Sequence, residues 1–300
     1  MLDFKPLTPL DFPMLQPYLN RTPELCCDCS PACMVMWGSA DIARCGDFYV
    51  PIATYDGQIS YLRPLGGLDF SSILPEIIED AKARGIPFRI RGLTPAVRAV
   101  LEDSTDLVFT TNRDTYDYLY KTSDLTTLSG RKLQSKRNHI HRFEAQYPGC
   151  RCVPITEELL PACQKMCSEW YREHFSLGEN PALFAEEQRV LSIAFARYAE
   201  FGFDGLCMVL DGRVVAFSFG MRLSTDTFDV CFEKAFSSME GSYAAINRAF
   251  SRMVAEKYPE IQYLNREDDM GLAGLRKAKL SYHPVRILET YTAMLPEAQP

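Results

Sequence analysis

No apolar run in the sequence approaches the roughly 18 residues needed to cross a bilayer, so no stable membrane insertion is expected. The first twenty residues, MLDFKPLTPLDFPMLQPYLN, lack the basic start and continuous apolar stretch of a secretion signal, and carry Asp3, Asp11 and several prolines. The expectation is a cytoplasmic protein. There is no Gly-x-Ser-x-Gly elbow, no phosphate-binding Walker loop, no dinucleotide fingerprint and no aromatic-interleaved RNA module. Positive charge is in deficit: Lys and Arg number 32 against 39 Asp and Glu, a net −7, which argues against general affinity for nucleic acid. The eleven cysteines are an odd number without a secretion signal, which fits reduced thiols rather than a disulfide framework. Cys26, Cys27, Cys29 and Cys33 cluster, but no second Cys or His pair follows at finger spacing and the segment turns apolar at once. They read as buried or half-buried free thiols, and no metal is expected. Cys150, Cys152, Cys163, Cys167, Cys207 and Cys231 stand singly on apolar patterns, as core residues do.

What is present supports a packed core. The chain has 300 residues, 47% hydrophobic and 24% charged, a size that suggests two domains. Apolar residues three and four apart predict helices over 158–173 and 185–199. Strands follow at 205–210, 213–222 and 227–232, the first two joined by the hairpin signal Asp211-Gly212. Next come a helix at about 243–257 stopped by Tyr258-Pro259, a strand at 261–264, a helix at 272–280 and a last strand at 285–294. Antiparallel strands followed by strand–helix–strand crossovers predict a mixed α/β sheet with helices on both faces.

The first half carries a weaker copy of this order. Strands are predicted at 48–54 and 58–62 around Asp56-Gly57, then a helix at 71–84 capped by Gly85, a strand at 88–91, a helix at 95–102 and strands at 107–111 and 115–120. The repeat rests on element order, not on identity between the halves. The predicted organisation is a first domain at 1–124, a basic connecting helix at 125–147 and a second domain at 148–300 holding the active cleft. The connecting segment packs Arg131, Lys132, Lys136, Arg137, His139, His141 and Arg142 into twelve residues.

Four stretches carry a resemblance: 117–143 (DYLYKTSDLTTLSGRKLQSKRNHIHRF), 232–236 (FEKAF), 240–250 (EGSYAAINRAF) and 265–284 (NREDDMGLAGLRKAKLSYHP). Together they resemble the phosphatidylglycerol lysyltransferase C-terminal-domain family over about 114–284. The resemblance implies two tandem GNAT-like acyltransferase domains, the first degenerate. It also implies kinship with enzymes that move an amino acid from aminoacyl-tRNA to a lipid or a peptidoglycan precursor. Lipid-modifying members carry a multi-helix membrane domain that this sequence does not show, so fold and reaction class carry over better than the acceptor does.

The residues suggest a chemistry of their own. The loop SSMEGS feeds the helix at 243, and a helix start offers unpaired N–H groups and partial positive charge to a phosphate. Gly241 would permit close approach, Ser242 would cap the helix, and Tyr243 and Asn247 would face one way. The resemblance places a donor's pyrophosphate or 3′ end at this turn. The coenzyme A signature of two spaced glycines is absent there. Glu233, at a strand end, and Glu267 and Asp268, after the next strand, would face the crevice beyond the carboxyl ends of the sheet. Such acids accept a proton from an attacking amine or hydroxyl and hold an α-ammonium. Lys234 and Lys279 are candidates to stabilise a developing oxyanion, and Tyr282 to protonate the leaving oxygen. Asn265 and Arg276 complete the binding set. Surface acids, an ordinary capped helix and solvated cations are the plain alternatives for these groups.

The expected function is transfer of an aminoacyl group, with aminoacyl-tRNA as donor, to an amine or hydroxyl acceptor on a lipid, peptide or small molecule. No cofactor is required. An acyl-coenzyme A thioester donor to an N-acyltransferase is the alternative, and a non-catalytic amino acid or peptide binding module is the second. Arg131, Lys132, Lys136 and Arg137 are candidate contacts to a tRNA acceptor end, or else a helix paired with the chain's acids. On this reading Glu233→Gln or Glu267→Gln abolishes transfer with little change in melting temperature. Acceptor, amino acid and oligomeric state are not legible.

Overall fold

The computed structural model describes residues 1–55, 57–176 and 181–296; Asp56 of the predicted Asp56-Gly57 turn lies outside them. The architecture is mixed α/β, built on two seven-stranded sheets. In the second sheet an antiparallel meander runs Arg151–Pro154, Asp204–Leu210, Arg213–Arg222 and Thr227–Ala235. The turn at Asp211-Gly212 has both residues in the left-handed region (φ 49° and 76°), the geometry that matches strand twist in a two-residue hairpin. Tyr263–Asn265 then adds parallel to Thr227–Ala235. The first sheet repeats the plan: Ser39–Cys45, Phe48–Tyr55 and Gln58–Leu62 form the meander, and Arg89–Leu93 pairs parallel to the last of them.

The two halves exchange strands. Asp117–Lys121 leaves the first half to pair antiparallel with Tyr263–Asn265. Tyr291–Met294 leaves the second half to lie between Arg89–Leu93 and Val108–Thr111. A sheet boundary therefore does not fall at residue 124. The single strand predicted over 285–294 is two: Arg286–Leu288 belongs to the second sheet, and the chain crosses at Glu289-Thr290 to the first. Each half completes the other's sheet, so neither buries its parallel edge alone.

Most predicted elements form within a few residues of their expected ends. Gly85 sits at φ 66° and its N–H closes on Ala81 and Lys82, ending the helix Leu74–Arg84. The sequence reading missed helices Phe12–Arg21 and Pro31–Trp37 and the strands Ser39–Cys45 and Arg151–Pro154. These are short or mixed in polarity and form because the sheets supply a face to cover. The basic segment forms the helix Gln134–Gln146, seated on Ser242–Lys257 through Ile140 and Phe143, both buried. Among the described residues, no helix is long and apolar enough to cross a membrane.

Candidate active site

Strand parting creates the cleft. Thr227–Ala235 pairs with Tyr263–Asn265 only over 227–229 and 263–265, and then runs on without that neighbour. Beyond this point the chain at 266–272 turns away, and a cavity of about 990 Å³ opens at the carboxyl ends of the parallel pair. Ligands collect at such a place in open α/β sheets because backbone groups and loop side chains converge there. The first half supplies one wall, with Cys27, Asp28, Cys33, Trp37, Tyr55 and Arg91. The cavity thus lies between the two halves.

Of the residues singled out by sequence, Glu233, Lys234, Gly241, Ser242, Tyr243, Glu267, Asp268, Lys279 and Tyr282 line this one cavity, and Lys136 of the basic helix joins them. The structure brings them together but gives them unequal freedom. Glu233 lies inside its strand rather than at the end. It accepts from Arg266 Nη2 at 2.8 Å and from Asn247 Nδ2 at 2.9 Å, so both carboxylate oxygens are taken. Arg266 in turn lies against the rings of Tyr120 and Tyr282, 5.5 and 4.9 Å from their centroids, and its Nη1 is buried without a hydrogen-bond partner among the described residues. Lys234 donates to both oxygens of Glu187 at 2.9 and 2.8 Å and sits 3.8 Å from the Trp170 ring centroid, a closed ion pair in the wall. Lys279 is buried; its ammonium donates to the Arg266 carbonyl at 2.5 Å and to that of Asp268, strapping the acidic loop.

Asp268 is the acid with capacity to spare. Burial pushes its carboxyl up to about 7, against the opposing pull of Lys279. Among the described residues its carboxylate accepts one hydrogen bond, from the Met270 N–H at 3.1 Å. Glu267 sits in the left-handed region at φ 55°, fixed there by its N–H bond to Asn265 Oδ1 at 2.8 Å, and points inward, where the Cys33 thiol donates to it at 3.4 Å. Burial and then Asp229 raise its pKa well above the usual carboxylate range. Lys136 sits 4.0 Å over the Tyr282 ring and donates to Ser281 Oγ at 2.6 Å. Burial, then the Arg266 charge, lowers its pKa to about 8.

Asn265, Arg276, Arg131, Lys132 and Arg137 lie outside the cavity lining. Asn265 donates to Asp117 at 2.6 Å and orients the loop from behind. Arg276 faces away from the cavity and pairs with Asp269 at 2.7 Å and Asp114 at 2.6 Å. Arg131 and Lys132 are exposed on the flank, and Arg137 donates to the carbonyls of Leu128 and Gly130, ending the preceding turn. Ser242 does not cap the helix: its hydroxyl donates to the Phe236 carbonyl at 2.8 Å, and Gly241 occupies the cap position at φ 87°. A Cβ on Gly241 would run into the His139 carbonyl and stand 3.1 Å from Phe143 Cβ, so this glycine serves the packing of the basic helix. Tyr243 Oη accepts from Trp170 Nε1 at 2.9 Å.

Sequence reasoning missed the wall from the first half, and also Trp170, His174 and Glu187. It also missed Asp229, completely buried behind Glu267. The Cys26–Cys33 cluster was the available signal, and it was read as buried or half-buried free thiols. Cys26 and Cys29 are core, but Cys27 and Cys33 face the cavity.

The model of the family described as phosphatidylglycerol lysyltransferase, C-terminal, matches residues 23–294. A crystal structure of a conserved protein of unknown function from Bacteroides thetaiotaomicron superposes with a TM-score of 0.92 at 36% identity, covering 99% of this chain and 100% of that one. The C-terminal domain of an Agrobacterium fabrum protein assigned as a lysylphosphatidylglycerol synthetase gives 0.64 at 16% identity, covering 90% and 88%. FemX gives 0.64 at 8% identity, covering 98% of each chain. A curated relative, an uncharacterised protein of Mycoplasmoides gallisepticum, is 25% identical over 176 residues; the match spans 58% of this chain and about half, 54%, of that protein. The fold is a tandem pair of GNAT-like domains.

Proposed function

Because the chain belongs to the phosphatidylglycerol lysyltransferase C-terminal family, we propose that it transfers an aminoacyl group from aminoacyl-tRNA to an amine or hydroxyl acceptor held in the cleft between its domains. The observation that carries this reading is that groups of both signs line one cavity: Asp28 and Asp268, with Arg91 beside the first, and Lys136 with the start of the helix Ser242–Lys257. An aminoacyl ester on tRNA also carries both, a cationic α-amine at one end and nucleotide phosphates at the other. The acids attract the ammonium, and Lys136 with the helix start attracts phosphate.

Asp268 is the general base. Its carboxyl, near 7, is half ionised at neutral pH and can take a proton from the acceptor nitrogen or oxygen as that atom attacks the ester carbonyl. The new bond forms to the carbonyl carbon, and the bond to the ribose oxygen breaks. Tyr282, a buried phenol at the cavity edge beside Lys136, is the proton source for that oxygen. Arg266, held in the cavity wall by Glu233, supplies the positive charge that favours the developing oxyanion. Lys279 and Glu233 act through other groups: one straps the loop that carries Asp268, and the other holds Arg266.

The loop before the helix has one glycine, and the His139 carbonyl occupies the space that its missing side chain leaves, which supports a tRNA ester as donor over a coenzyme A thioester. A pool of tRNA charged with labelled amino acids, incubated with the protein and extracts of lipids and peptides, tests the proposal. Label should move to an acceptor, and Asp268→Asn should slow that movement by about 10²–10⁴-fold, the usual weight of a general base. No consumption of any aminoacyl-tRNA, together with stabilisation by coenzyme A, would overturn it.

A further inference from the structure

The floor of the cavity holds a second constellation, which shares Glu267 with the cavity wall. Cys33 comes from the helix Pro31–Trp37 of the first half. Asp229 and Cys231 lie two apart on Thr227–Ala235, and so on one face of that strand. Glu267 descends from the loop after Tyr263–Asn265. One donor atom from each lies within 4.8 Å of all the others. Cys33 Sγ is 3.4 Å from Glu267 Oε1 and 3.7 Å from Asp229 Oδ2, and Cys231 Sγ is 3.7 Å from Asp229 Oδ2. A tetrahedral ion with bonds of ~2.3 Å to sulfur and ~2.0 Å to oxygen sets its ligand atoms roughly 3.3–3.8 Å apart; the Cys33–Glu267, Cys33–Asp229 and Cys231–Asp229 separations fall in that range, and the other pairs lie within 4.8 Å.

A second observation is independent of that spacing. Asp229 is completely buried, and its Oδ2 is met only by the weakly donating thiols of Cys33 and Cys231; among the described residues its Oδ1 makes no close hydrogen bond, with the Ser30 hydroxyl as its polar neighbour. Buried carboxylate oxygens are ordinarily satisfied, because desolvating one without a partner is costly. Neighbouring Asp117 shows the usual solution, accepting from Asn265 at 2.6 Å and from the Cys27 N–H at 2.7 Å. Lys279 offsets part of the charge, but its ammonium is tied to two backbone carbonyls.

We propose that Cys33, Asp229, Cys231 and Glu267 form a tetrahedral site for a thiophilic divalent cation, zinc first among them, that joins the first-half helix to the second sheet beneath the cleft. Two thiol sulfurs select zinc over magnesium or calcium, which prefer all-oxygen ligands. Four protein ligands close the coordination sphere, so the ion is structural, and binding releases the thiol protons to solvent. The proposal stands whatever group the cleft transfers.

The test uses the intact chain. Protein loaded with zinc and dialysed should retain about one ion per chain by elemental mass spectrometry. Titration of the metal-free protein with cobalt(II) should produce a sulfur-to-cobalt charge-transfer absorption. Cys231→Ser and Asp229→Asn should each lower retained zinc at least tenfold, whereas Cys152→Ser, at an exposed position, should not. The cobalt spectrum of the unmodified protein decides the matter even if those variants fail to fold. Absence of both retained zinc and the cobalt–thiolate band, or zinc retained undiminished in a folded Cys33→Ser/Cys231→Ser variant, would overturn the proposal.

Discussion

Replacing Glu233 by Gln separates a catalytic carboxylate from one that holds another residue in place. The side chains of Glu233 and Arg266 are 10% and 12% exposed, and their charged atoms are 2.8 Å apart. The change removes the counter-charge of a guanidinium that Tyr120 and Tyr282 enclose. Leaving one member of a buried pair uncompensated costs about 3–5 kcal/mol. The amide keeps the shape and can still accept one hydrogen bond, so the lower end, ~3 kcal/mol, applies. At ~2–4 °C per kcal/mol for domains of 150–250 residues, Tm should fall by roughly 6–12 °C. This reverses the expectation from sequence, in which a free Glu233 could be changed with little effect on melting. Arg266→Met should be destabilising too, and Glu233→Gln/Arg266→Met should recover ~1–3 kcal/mol relative to the sum of the single changes, because the double change leaves no unpaired charge. Calorimetry and urea unfolding of the four proteins complete the cycle. Equal melting of wild type and Glu233→Gln, with strictly additive single changes, would refute the argument.

Two further outcomes follow from the same geometry. Lys136 has a folded pKa near 8, below the ~10.4 of an open chain, because burial and Arg266 disfavour its charge. The folded state therefore binds fewer protons between those values, and stability should rise as pH goes from 8 to about 10.4, with the full penalty present below 8. Urea midpoints from pH 7 to 10 should show that rise in wild type and a flatter one in Lys136→Met; parallel curves would exclude it. Gly241→Ala should destabilise the chain by more than ~1 kcal/mol, since both the left-handed φ of 87° and the His139 carbonyl oppose a Cβ. An unchanged urea midpoint would show that the basic helix can shift to admit it.

The period of apolar residues made the second-half sheet and its helices legible, because each spans enough residues for a 2.0 or 3.6 repeat to register. The strand Arg213–Arg222 and the hairpin at Asp211-Gly212 are such cases. The run 265–284 was specific enough to indicate the family, and it led to Glu267, Asp268, Lys279 and Tyr282, all on the cavity wall. Charge and residue type do not say which neighbour each group will meet. Lys234 and Lys279 read as candidates to meet an oxyanion, yet one is paired to Glu187 and the other donates to backbone carbonyls.

The chain alone thus determined the elements, their tandem order and the set of polar residues gathered at one end of a sheet, because these follow from local propensity and hydrophobic period. The tertiary structure decided which carboxylate stays unpaired, which half supplies the opposite wall, and that Cys33 meets Asp229, 196 residues further on. Burial, pairing and strand exchange depend on contacts between residues far apart in sequence, and no local pattern encodes them.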